Sequence, residues 1–482
     1  MDSIQTERED KFDVDAGFVL PPLEQVTSEG GSAQTSEVQL ISSYYDTDDL
    51  DLLRRGITVR RRRGDADTGW HAKVPAEKAR TEIRLPLGQG DDESVPDELA
   101  SLLRGASLGK PLSQVATLVS LRTVHVLTDS DGGVVAELAD DSVSVDLAGT
   151  DGHAWRELEV ELGPSGSEGD LKRVGKVLKA AGATRGVHPS KLHRALRSDE
   201  VPAHTGALGT VADYLQQQSQ AVFAGDVYLR RGLDSIHSTR VAIRRYRSAL
   251  RVFADLFDEA RATGLDAELS WYASILGEVR DRQVQRARFA EVVHELPDHL
   301  VLGPVAARIE NDLLAEQIRF RAVVAAELDG DRYRALLAEM AAWSRELPAS
   351  EGATKIGEDD LDRMARKAGK KAGKRVAAAI DGGNDEALHR ARKAAKRARY
   401  AAELVKPIVG KKEAKLRIAR YKGIQEILGE HQDSVVAAHT LLLLGMKAGI
   451  AGAENGFTFG LMYAREMQAS VAARDEISRY TL

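Results

Sequence analysis

The second half of the sequence contains an internal repeat, which limits the folds this half can adopt. Four basic positions recur 152 residues further along the chain: His237, Arg240, Arg244 and Arg247 correspond to His389, Arg392, Lys396 and Arg399. The same offset relates Leu276-Gly277-x-x-x-Asp281 to Leu428-Gly429-x-x-x-Asp433 without a gap. Spacings of three and four residues place the basic side chains on one face of a helix. The repeat therefore predicts an all-α region made of two related halves.

These two basic stripes predict binding of a polyanion. A solvated helix face usually mixes acidic and basic residues, because opposite charges four positions apart attract each other. Each stripe carries one sign, so its side chains repel one another unless an anion is present. A solvated face is the alternative. Metal binding by His237 or His389 is disfavoured, because no second ligand stands at a suitable spacing on either stripe. Asp281 and Asp433 either orient the basic side chains or cap neighbouring helices.

Charge and composition exclude several classes of protein. The chain has 482 residues and a net charge of −7, yet residues 363–422 contain 20 Lys or Arg against 5 Asp or Glu. This basic block predicts a polyanionic partner. The absence of cysteine excludes disulfides and thiolate sites. The acidic N-terminus is unlike a secretory signal, and the longest apolar run, residues 435–446, is too short to span a bilayer. We expect a cytoplasmic protein with no membrane partner.

The first 200 residues predict β-strands with an ionic face. On alternation, Glu157, Glu159 and Glu161 share one face of a strand, and Arg60 and Arg62 share a face of another. Carboxylates concentrate on the first and last strands, and cations on those between. A closed barrel with a charged interior explains this distribution. A half-exposed sheet with a salt-bridged outer surface is the alternative.

One pentapeptide near the N-terminus, Glu7 to Lys11, predicts a site that binds a divalent cation and a phosphate group. In a strand, Glu7, Glu9 and Lys11 project to the same side. Carboxylates bind a hard divalent cation, and a lysine ammonium binds a phosphate oxygen. The alternative is a charged surface on an edge strand.

Together these residues resemble the CYTH domain, the triphosphate tunnel metalloenzymes. Further positions that carry the resemblance are Tyr44-Tyr45-Asp46-Thr47, Arg60, Arg62, Lys73, Arg122 and Glu157-x-Glu159. The resemblance implies an eight-stranded antiparallel β-tunnel over residues 1–198 that cleaves triphosphates with Mg²⁺ or Mn²⁺. The implied metal ligands are Glu7, Glu9, Asp140, Glu157 and Glu159, with Asp141 or Glu137 as alternatives to Asp140. The implied phosphate-binding residues are Lys11, Arg60, Arg62, Lys73, Arg122 and Lys191. The implied catalytic residues are Glu7, Glu9, Lys11, Lys73, Glu157 and Glu159, with Glu82 as a partner of the cations.

After a linker at residues 199–208, the repeat resembles the CHAD domain, a conserved-histidine α-helical module. The resemblance implies two related four-helix bundles over residues 209–482 that bind inorganic polyphosphate. The implied binding residues are His237, Arg240, Arg244, Arg247, His389, Arg392, Lys396 and Arg399.

Both halves therefore point to phosphate chains. We predict a hydrolase of inorganic triphosphate or short polyphosphate that binds polyphosphate, with association with polyphosphate granules left open. The alternatives are an adenylate cyclase acting on ATP and a non-catalytic polyphosphate-binding or targeting protein. Nucleic-acid binding is disfavoured, because no aromatic residues alternate with the basic stripes. Chain length, triphosphate selectivity, the metal and the oligomeric state stay open.

Overall fold

The computed structural model describes residues 5–23, 26, 31–64, 68–76, 80–87, 94–146, 153–196, 205–382, 384–450 and 455–480, with only the backbone at 5–7 and 80. The chain divides into two compact units. A β unit comprises residues 1–202 with 226–231, and a helical unit comprises residues 203–225 with 232–482.

The described residues of the β unit form ten strands in one sheet. They are β1 (Gln5–Glu7), β2 (Glu9–Val14), β3 (Ser32–Asp46), β4 (Thr58–Arg63), β5 (Gly69–Pro75), β6 (Arg80–Leu85), β7 (Ser113–Thr128), β8 (Val134–Asp146), β9 (Ala154–Leu162) and β10 (Thr184–Arg185). Four short helices accompany them: α1 (Asp51–Arg54), α2 (Asp97–Leu102), α3 (Glu168–Ala180) and α4 (Lys191–Leu196). Because β1 and β2 are one segment interrupted at Arg8, and β10 has two residues, eight longer strands remain among the described residues, as the resemblance to the CYTH domain implies.

The sheet closes on itself, which confirms the predicted tunnel. Its strand order is β1-β6-β5-β4-β3-β7-β8-β9-β2-β10, and the described pairings are antiparallel. Consecutive segments β1 and β2 lie near opposite ends of this order, so residues 5–14 join the two edges. Closure removes the unpaired edges that an open sheet would expose.

The outer face of the sheet forms one apolar core with α3. Phe12, Leu138 and Leu158 are buried on this face and pack with Leu178 of α3. A second cluster closes one end of the tunnel, where Leu53 of α1 and Leu192 of α4 pack against inward-facing apolar side chains of β7 and β8. The interior is therefore apolar at this end and charged beyond it.

The helical unit contains ten helices in its described residues. They are α5 (Gly206–Arg230), α6 (Ile236–Val252), α7 (Glu259–Glu295), α8 (Val305–Leu328), α9 (Asp331–Arg345), α10 (Glu358–Gly382), α11 (Asp385–Leu404), α12 (Lys406–Val409), α13 (Lys411–Ile450) and α14 (Phe457–Arg479). Helices α5, α6, α7 and α8 form the first half, and helices α10, α11, α13 and α14 form the second. Helix α9 and the four-residue helix α12 are additional to these two halves. The predicted repeat is visible in the packing, because Leu276 of α7 and its counterpart Leu428 of α13 are both buried.

Helix α13 is the one helix in the described chain that is long and apolar enough to cross a membrane, judged by length and composition alone. This is weak evidence, because the core helix of a water-soluble protein meets the same criterion. Ala437, Leu441 and Leu444 of α13 are buried in a core cluster with Phe289 and Met462.

Candidate functional site

Three neighbouring strands form an acidic wall inside the tunnel. The register pairs Glu9 of β2 with Glu161 of β9, and Glu161 with Glu137 of β8. Directly opposite residues of an antiparallel pair lie on the same face of the sheet. These three carboxylates, which belong to different strands, therefore form a row across the wall.

Lys11 lies in the middle of this wall. Its Nζ is 2.5 Å from Oε1 of Glu159 and 3.4 Å from Oε1 of Glu9. Burial alone would lower the pKa of Lys11, but the carboxylates of Glu159 and Glu9 outweigh burial and raise it. Lys11 is therefore a fixed positive charge between two acidic residues.

Lys191 reaches the same wall from α4. Its Nζ lies 3.0 Å from Oδ2 of Asp141, 2.8 Å from Oε1 of Glu157 and 2.9 Å from Oε1 of Glu159. Arg122 of β7 binds both oxygens of Asp141, at 2.8 and 2.7 Å, and lies 3.1 Å from Glu159. Burial would raise the pKa of Glu159, but Lys11, Lys191 and Arg122 hold it well below its usual range.

The opposite wall is basic. The register places Thr58, Arg60 and Arg62 of β4 on the same face as Lys73 of β5, and Lys73 opposite Glu82 of β6. Glu82 is buried, and its carboxylate is shared among four neighbours, with Arg84 Nη2 at 2.5 Å, His71 Nδ1 at 3.1 Å, Arg60 Nη2 at 3.6 Å and Lys73 Nζ at 4.0 Å. One carboxylate thus contacts several cations, and the described lining of this wall contains more basic than acidic side chains.

Tyr44 of β3 belongs to the basic wall as well. Its hydroxyl is hydrogen-bonded to Arg60. Burial raises the pKa of the Tyr44 hydroxyl, but the charges of Arg60, Arg62 and Lys191 outweigh burial and lower it. The Nε of Arg60 is buried and has no hydrogen-bond partner in the described part of the chain.

The two walls enclose a cavity of about 380 Å³. Its acidic and basic lining residues are Glu9, Lys11, Arg60, Arg62, Lys73, Glu82, Arg84, Arg122, Glu137, Glu159, Glu161 and Lys191. The structure therefore brings together all six predicted phosphate-binding residues. Such a cavity suits a compact anion that carries several charges along its length.

The structure corrects the prediction for Asp140. This residue pairs with Leu158 on the outer face of the sheet, and both of its oxygens bind Arg156, at 2.8 and 2.6 Å. Asp141, one of the two alternatives, lies on the inner face and is fully buried. The reason is the pleat, because neighbouring residues of a strand face opposite sides.

Of the other predicted acidic residues, Glu157 is not among the described residues that line the cavity, and the position of the Glu7 side chain is not described. Glu157 is buried beside Lys191 and accepts a hydrogen bond from Nε1 of Trp155 at 2.6 Å. The side chain of Glu7 lies outside the described residues, although its backbone pairs with Arg80 in β1. Glu161 lines the cavity on the charged face of β9, although the resemblance to the CYTH domain does not imply it as a ligand.

In the helical unit the two basic stripes converge. Helix α6 packs on α11, where Nε of Arg245 lies 2.9 Å from Oε2 of Glu403. Lys396 of α11 is half-buried, and its pKa is lowered to about 7, first by burial and then by the charges of Arg392, Arg244 and Arg240, while Asp433 opposes the shift. These four basic side chains form what we call the central basic cluster: Arg240, Arg244, Arg392 and Lys396.

The repeated Leu-Gly-x-x-x-Asp segment positions this cluster. Arg240 lies 3.7 Å from Asp281, and Arg392 lies 3.3 Å from Asp433. The aspartates therefore orient arginines, one of the two roles left open by the sequence. The glycines provide room, because a Cβ on Gly277 would lie 2.8 Å from Nη1 of Arg240. A Cβ on Gly429 would lie 3.3 Å from Nη2 of Arg392.

The other four predicted polyphosphate-binding residues lie outside the central basic cluster, and most of them have ion-pair or hydrogen-bond partners. Arg247 is neutralised by Asp266 at 3.0 Å, and Arg399 by Glu403 at 3.1 Å. Nδ1 of His389 donates a hydrogen bond to Oε1 of Gln432 at 3.0 Å, and His237 is exposed. By contrast, buried nitrogens of Arg240, Arg244 and Arg392 lack hydrogen-bond partners within the described residues.

Comparison with known proteins agrees with this architecture. The chain matches the family model of the CYTH domain over residues 6–196 and that of the CHAD domain over residues 213–442. The chain belongs to the family that joins a CYTH domain to a CHAD domain. It is 33% identical over 502 aligned residues to the protein named uncharacterized protein MT2285 of Mycobacterium tuberculosis strain CDC 1551 / Oshkosh, covering 98% of this chain and 94% of that protein.

Two solved structures are similar to part of the chain. PptA from Streptomyces chartreusis is 22% identical, with a TM-score of 0.49, over 57% of this chain and 99% of PptA. The CHAD domain from the plant Ricinus communis is 24% identical, with a TM-score of 0.46, over 58% of this chain and 94% of that domain.

CYTH enzymes depend on a metal, typically Mg²⁺ or Mn²⁺, and the donor chemistry of this CYTH domain fits such an ion. Glu9, Glu137, Glu159 and Glu161 offer only carboxylate oxygens, which hard divalent cations prefer. Among the described residues, no three acidic or histidine side chains already form a group able to hold a metal. Instead, Lys11 and Lys191 bind Glu159. The Glu159 carboxylate is therefore paired with two ammonium groups in this structure.

Proposed function

We propose that the CYTH domain hydrolyses inorganic triphosphate or short polyphosphate with Mg²⁺ or Mn²⁺, and that the CHAD domain binds inorganic polyphosphate. The observation that supports the hydrolase most directly is the division of one cavity into an acidic and a basic wall. Triphosphate cleavage requires both, because cations must neutralise phosphate oxygens while carboxylates hold a divalent ion and the attacking water.

The basic wall would bind and orient the phosphate chain. Arg60, Arg62 and Lys73 come from adjacent strands, so their charges are fixed before substrate arrives. Fixed cations stabilise the charge of the transition state without first having to reorganise. Buried arginine nitrogens such as Nε of Arg60 are available for phosphate oxygens.

The acidic wall would hold the divalent ion through Glu9, Glu159 and Glu161, with Glu137 beside them. When bound, Mg²⁺ or Mn²⁺ supplies charge neutralisation on the phosphate and acidifies a coordinated water. Lys11 lies between Glu9 and Glu159 and is placed to donate a hydrogen bond to a phosphate oxygen that approaches this wall. Asp141 would hold Arg122 and Lys191 in position.

In the CHAD domain, the central basic cluster would bind polyphosphate. Four cations there have only Asp281 and Asp433 as ion-pair partners in the described residues. The excess charge favours a polyanion, and such binding should weaken as salt concentration rises. A cytoplasmic protein that associates with polyphosphate granules is consistent with this proposal.

Orthophosphate release from inorganic triphosphate with Mg²⁺, and then with Mn²⁺, tests the hydrolase. ATP and long-chain polyphosphate are assayed in parallel, because cyclic AMP from ATP would indicate a cyclase instead. Glu9→Gln should abolish release. Asp10→Asn is the matched control, because Asp10 is the next residue of β2 and binds Arg185 on the outer face, at 3.2 Å. No release from any substrate, with polyphosphate still bound, would favour a binding protein.

A further inference from the structure

A second cavity, of about 330 Å³, lies inside the helical unit between α10, α11 and α13. Its apolar lining consists mainly of small residues, Gly369 and Gly373 of α10 and Ala398 and Ala402 of α11. Four cations border it: Arg366, Lys370, Arg417 and Arg420. Tyr421 and Glu413 complete the wall on α13. The volume falls within the range of small-molecule sites.

This cavity is separate from the central basic cluster. Ala398 follows Lys396 by two positions, and each residue of an α-helix turns the chain by about 100°. The two side chains therefore leave α11 on nearly opposite sides. Ala398 is buried, whereas Lys396 is half-buried among the cations of α6.

The internal repeat provides a comparison for this cavity within the same chain. At the offset of 152 residues, Ala398 corresponds to Tyr246, Ala402 to Leu250 and Arg417 to Leu265. All three counterparts are buried core residues, and Tyr246 packs against Trp343 of α9, with ring centroids 6.4 Å apart. In the first half, large buried side chains therefore fill the space that corresponds to the cavity. In the second half, two alanines and an arginine stand at these positions. The space in the second half arises from specific small and charged residues, not from the fold.

The cations around the cavity are only partly neutralised. Asp362 binds Nε of Arg366 at 2.7 Å and also binds Arg417, while Glu413 binds Nε of Arg417 at 2.8 Å. Lys370 and Arg420 have no ion-pair partner among the residues that the structure describes. Nη2 of Arg417 is buried and lacks a hydrogen-bond partner there. Four cations against two carboxylates leave an excess of positive charge.

We propose that this cavity binds a small organic phosphate, a phosphate monoester whose organic part carries a flat aromatic ring, such as a nucleoside monophosphate. A phosphate monoester carries about −1.5 to −2 charge near pH 7, which matches the excess charge of the cations. Tyr421 already fills the space over Gly369, because a Cβ there would lie 2.0 Å from its hydroxyl. The room for the organic part therefore comes from Ala398 and Ala402, which stand where the first half has Tyr246 and Leu250. Inorganic polyphosphate has no apolar part, so the central basic cluster suits it better.

Isothermal titration calorimetry of the full chain with AMP, inorganic phosphate and adenosine tests this assignment. AMP should bind at least about tenfold more tightly than either fragment, because the cavity offers contacts to both parts. Ala402→Leu restores the side chain of Leu250, its counterpart in the first half, and should lower AMP affinity by about tenfold or more. Arg420→Gln should weaken AMP and leave adenosine unchanged.

The controls separate this cavity from other phosphate sites. Lys371→Gln removes an exposed charge on α10 outside the lining and should leave AMP affinity unchanged. Ala402→Leu leaves the β unit intact, so AMP that binds in the tunnel would persist in this variant. Unchanged AMP affinity in Ala402→Leu, or AMP that binds no better than inorganic phosphate, would overturn the proposal. Thermal unfolding of Ala402→Leu verifies that the variant is folded.

Discussion

Nζ of Lys191 lies 2.9 Å from Oε1 of Glu159, so a residue on α4 binds the same carboxylate that Lys11 binds from β2. Lys191 is buried, and Asp141 and Glu157 surround it as well. Removing one partner of a buried ion pair leaves the other charges uncompensated, at a cost of about 3–5 kcal/mol. We expect Lys191→Met to lower the free energy of unfolding of the β unit by about 3 kcal/mol at pH 7.

The pH dependence of this variant gives an independent check. The pKa values of Asp141 and Glu159 are lowered in the folded protein, so their contribution to stability is present above about pH 4 and is lost as pH falls further. Lys191→Met reduces this lowering, and its stability should therefore depend less on acid pH. Calorimetric unfolding at several pH values measures both effects. The control is Lys172→Met, which changes an exposed lysine of α3. Equal stability of Lys191→Met and the unaltered chain would contradict the argument.

Alternation within strands was readable from the sequence, whereas the register between strands was not. Arg60 and Arg62 lie on one face of β4 and Arg61 on the other, as alternation predicts. By contrast, Asp140 and Asp141 are adjacent acidic residues of one strand. Only the pairing with Leu158 and Glu157 of β9 decides which of them faces inward.

The sequence also could not predict which basic side chains form ion pairs with acidic residues from other helices. Arg247 and Arg399 continue the basic stripes at the expected spacing, but their partners Asp266 and Glu403 become neighbours through packing. Lys191 was expected from family resemblance to bind phosphate, yet α4 places it among three carboxylates. The repeat, in contrast, was fully visible, because its spacing requires no three-dimensional contact.

Polyphosphate binding by the CHAD domain should weaken as pH rises through neutrality. Burial and the charges of Arg392, Arg244 and Arg240 lower the pKa of Lys396 to about 7, so this lysine loses its proton near that pH in the free protein. A bound polyanion favours the protonated form, and binding above pH 7 should therefore take up a proton. Calorimetry in buffers of different ionisation enthalpy measures this uptake.

Lys396→Met tests whether Lys396 is the group responsible for this pH dependence. The variant should bind polyphosphate more weakly below pH 7 and lose most of the pH dependence, while Lys374→Met on α10 should retain it. A pH dependence that persists undiminished in Lys396→Met would show that another group is responsible.

Alanine at the repeated glycines should weaken polyphosphate binding without unfolding the domain. A Cβ on Gly277 would displace the guanidinium of Arg240, and one on Gly429 would displace that of Arg392 less severely. We expect affinity to fall by about three- to tenfold in Gly277→Ala and by less in Gly429→Ala. Gly264→Ala is the control on the same helix, since nothing lies within 4 Å of its Cβ position. It should stabilise α7 by about 0.5–1 kcal/mol and leave affinity unchanged. Similar losses in all three variants would exclude a role for close packing against the arginines.

Glu161 and Glu157 should respond differently to the same substitution, and this comparison tests the composition of the acidic wall. Glu161 lines the cavity in register with Glu9 and Glu137, whereas Glu157 is buried beside Lys191 and Trp155. Glu161→Gln should lower kcat/KM for triphosphate on the order of 100-fold, the usual size of losing one charged group that stabilises a transition state.

Glu157→Gln should mainly cost stability, about 1–3 kcal/mol, because its loss leaves a buried ammonium with fewer partners. Its amide oxygen still accepts the hydrogen bond of Trp155, so turnover at a temperature where the variant is folded should stay within a few-fold of the unaltered chain. Steady-state kinetics and thermal unfolding of both variants show which of the two glutamates acts in turnover and which acts in stability. A large loss of turnover in Glu157→Gln with full activity in Glu161→Gln would restore the pair Glu157 and Glu159 that the sequence predicts.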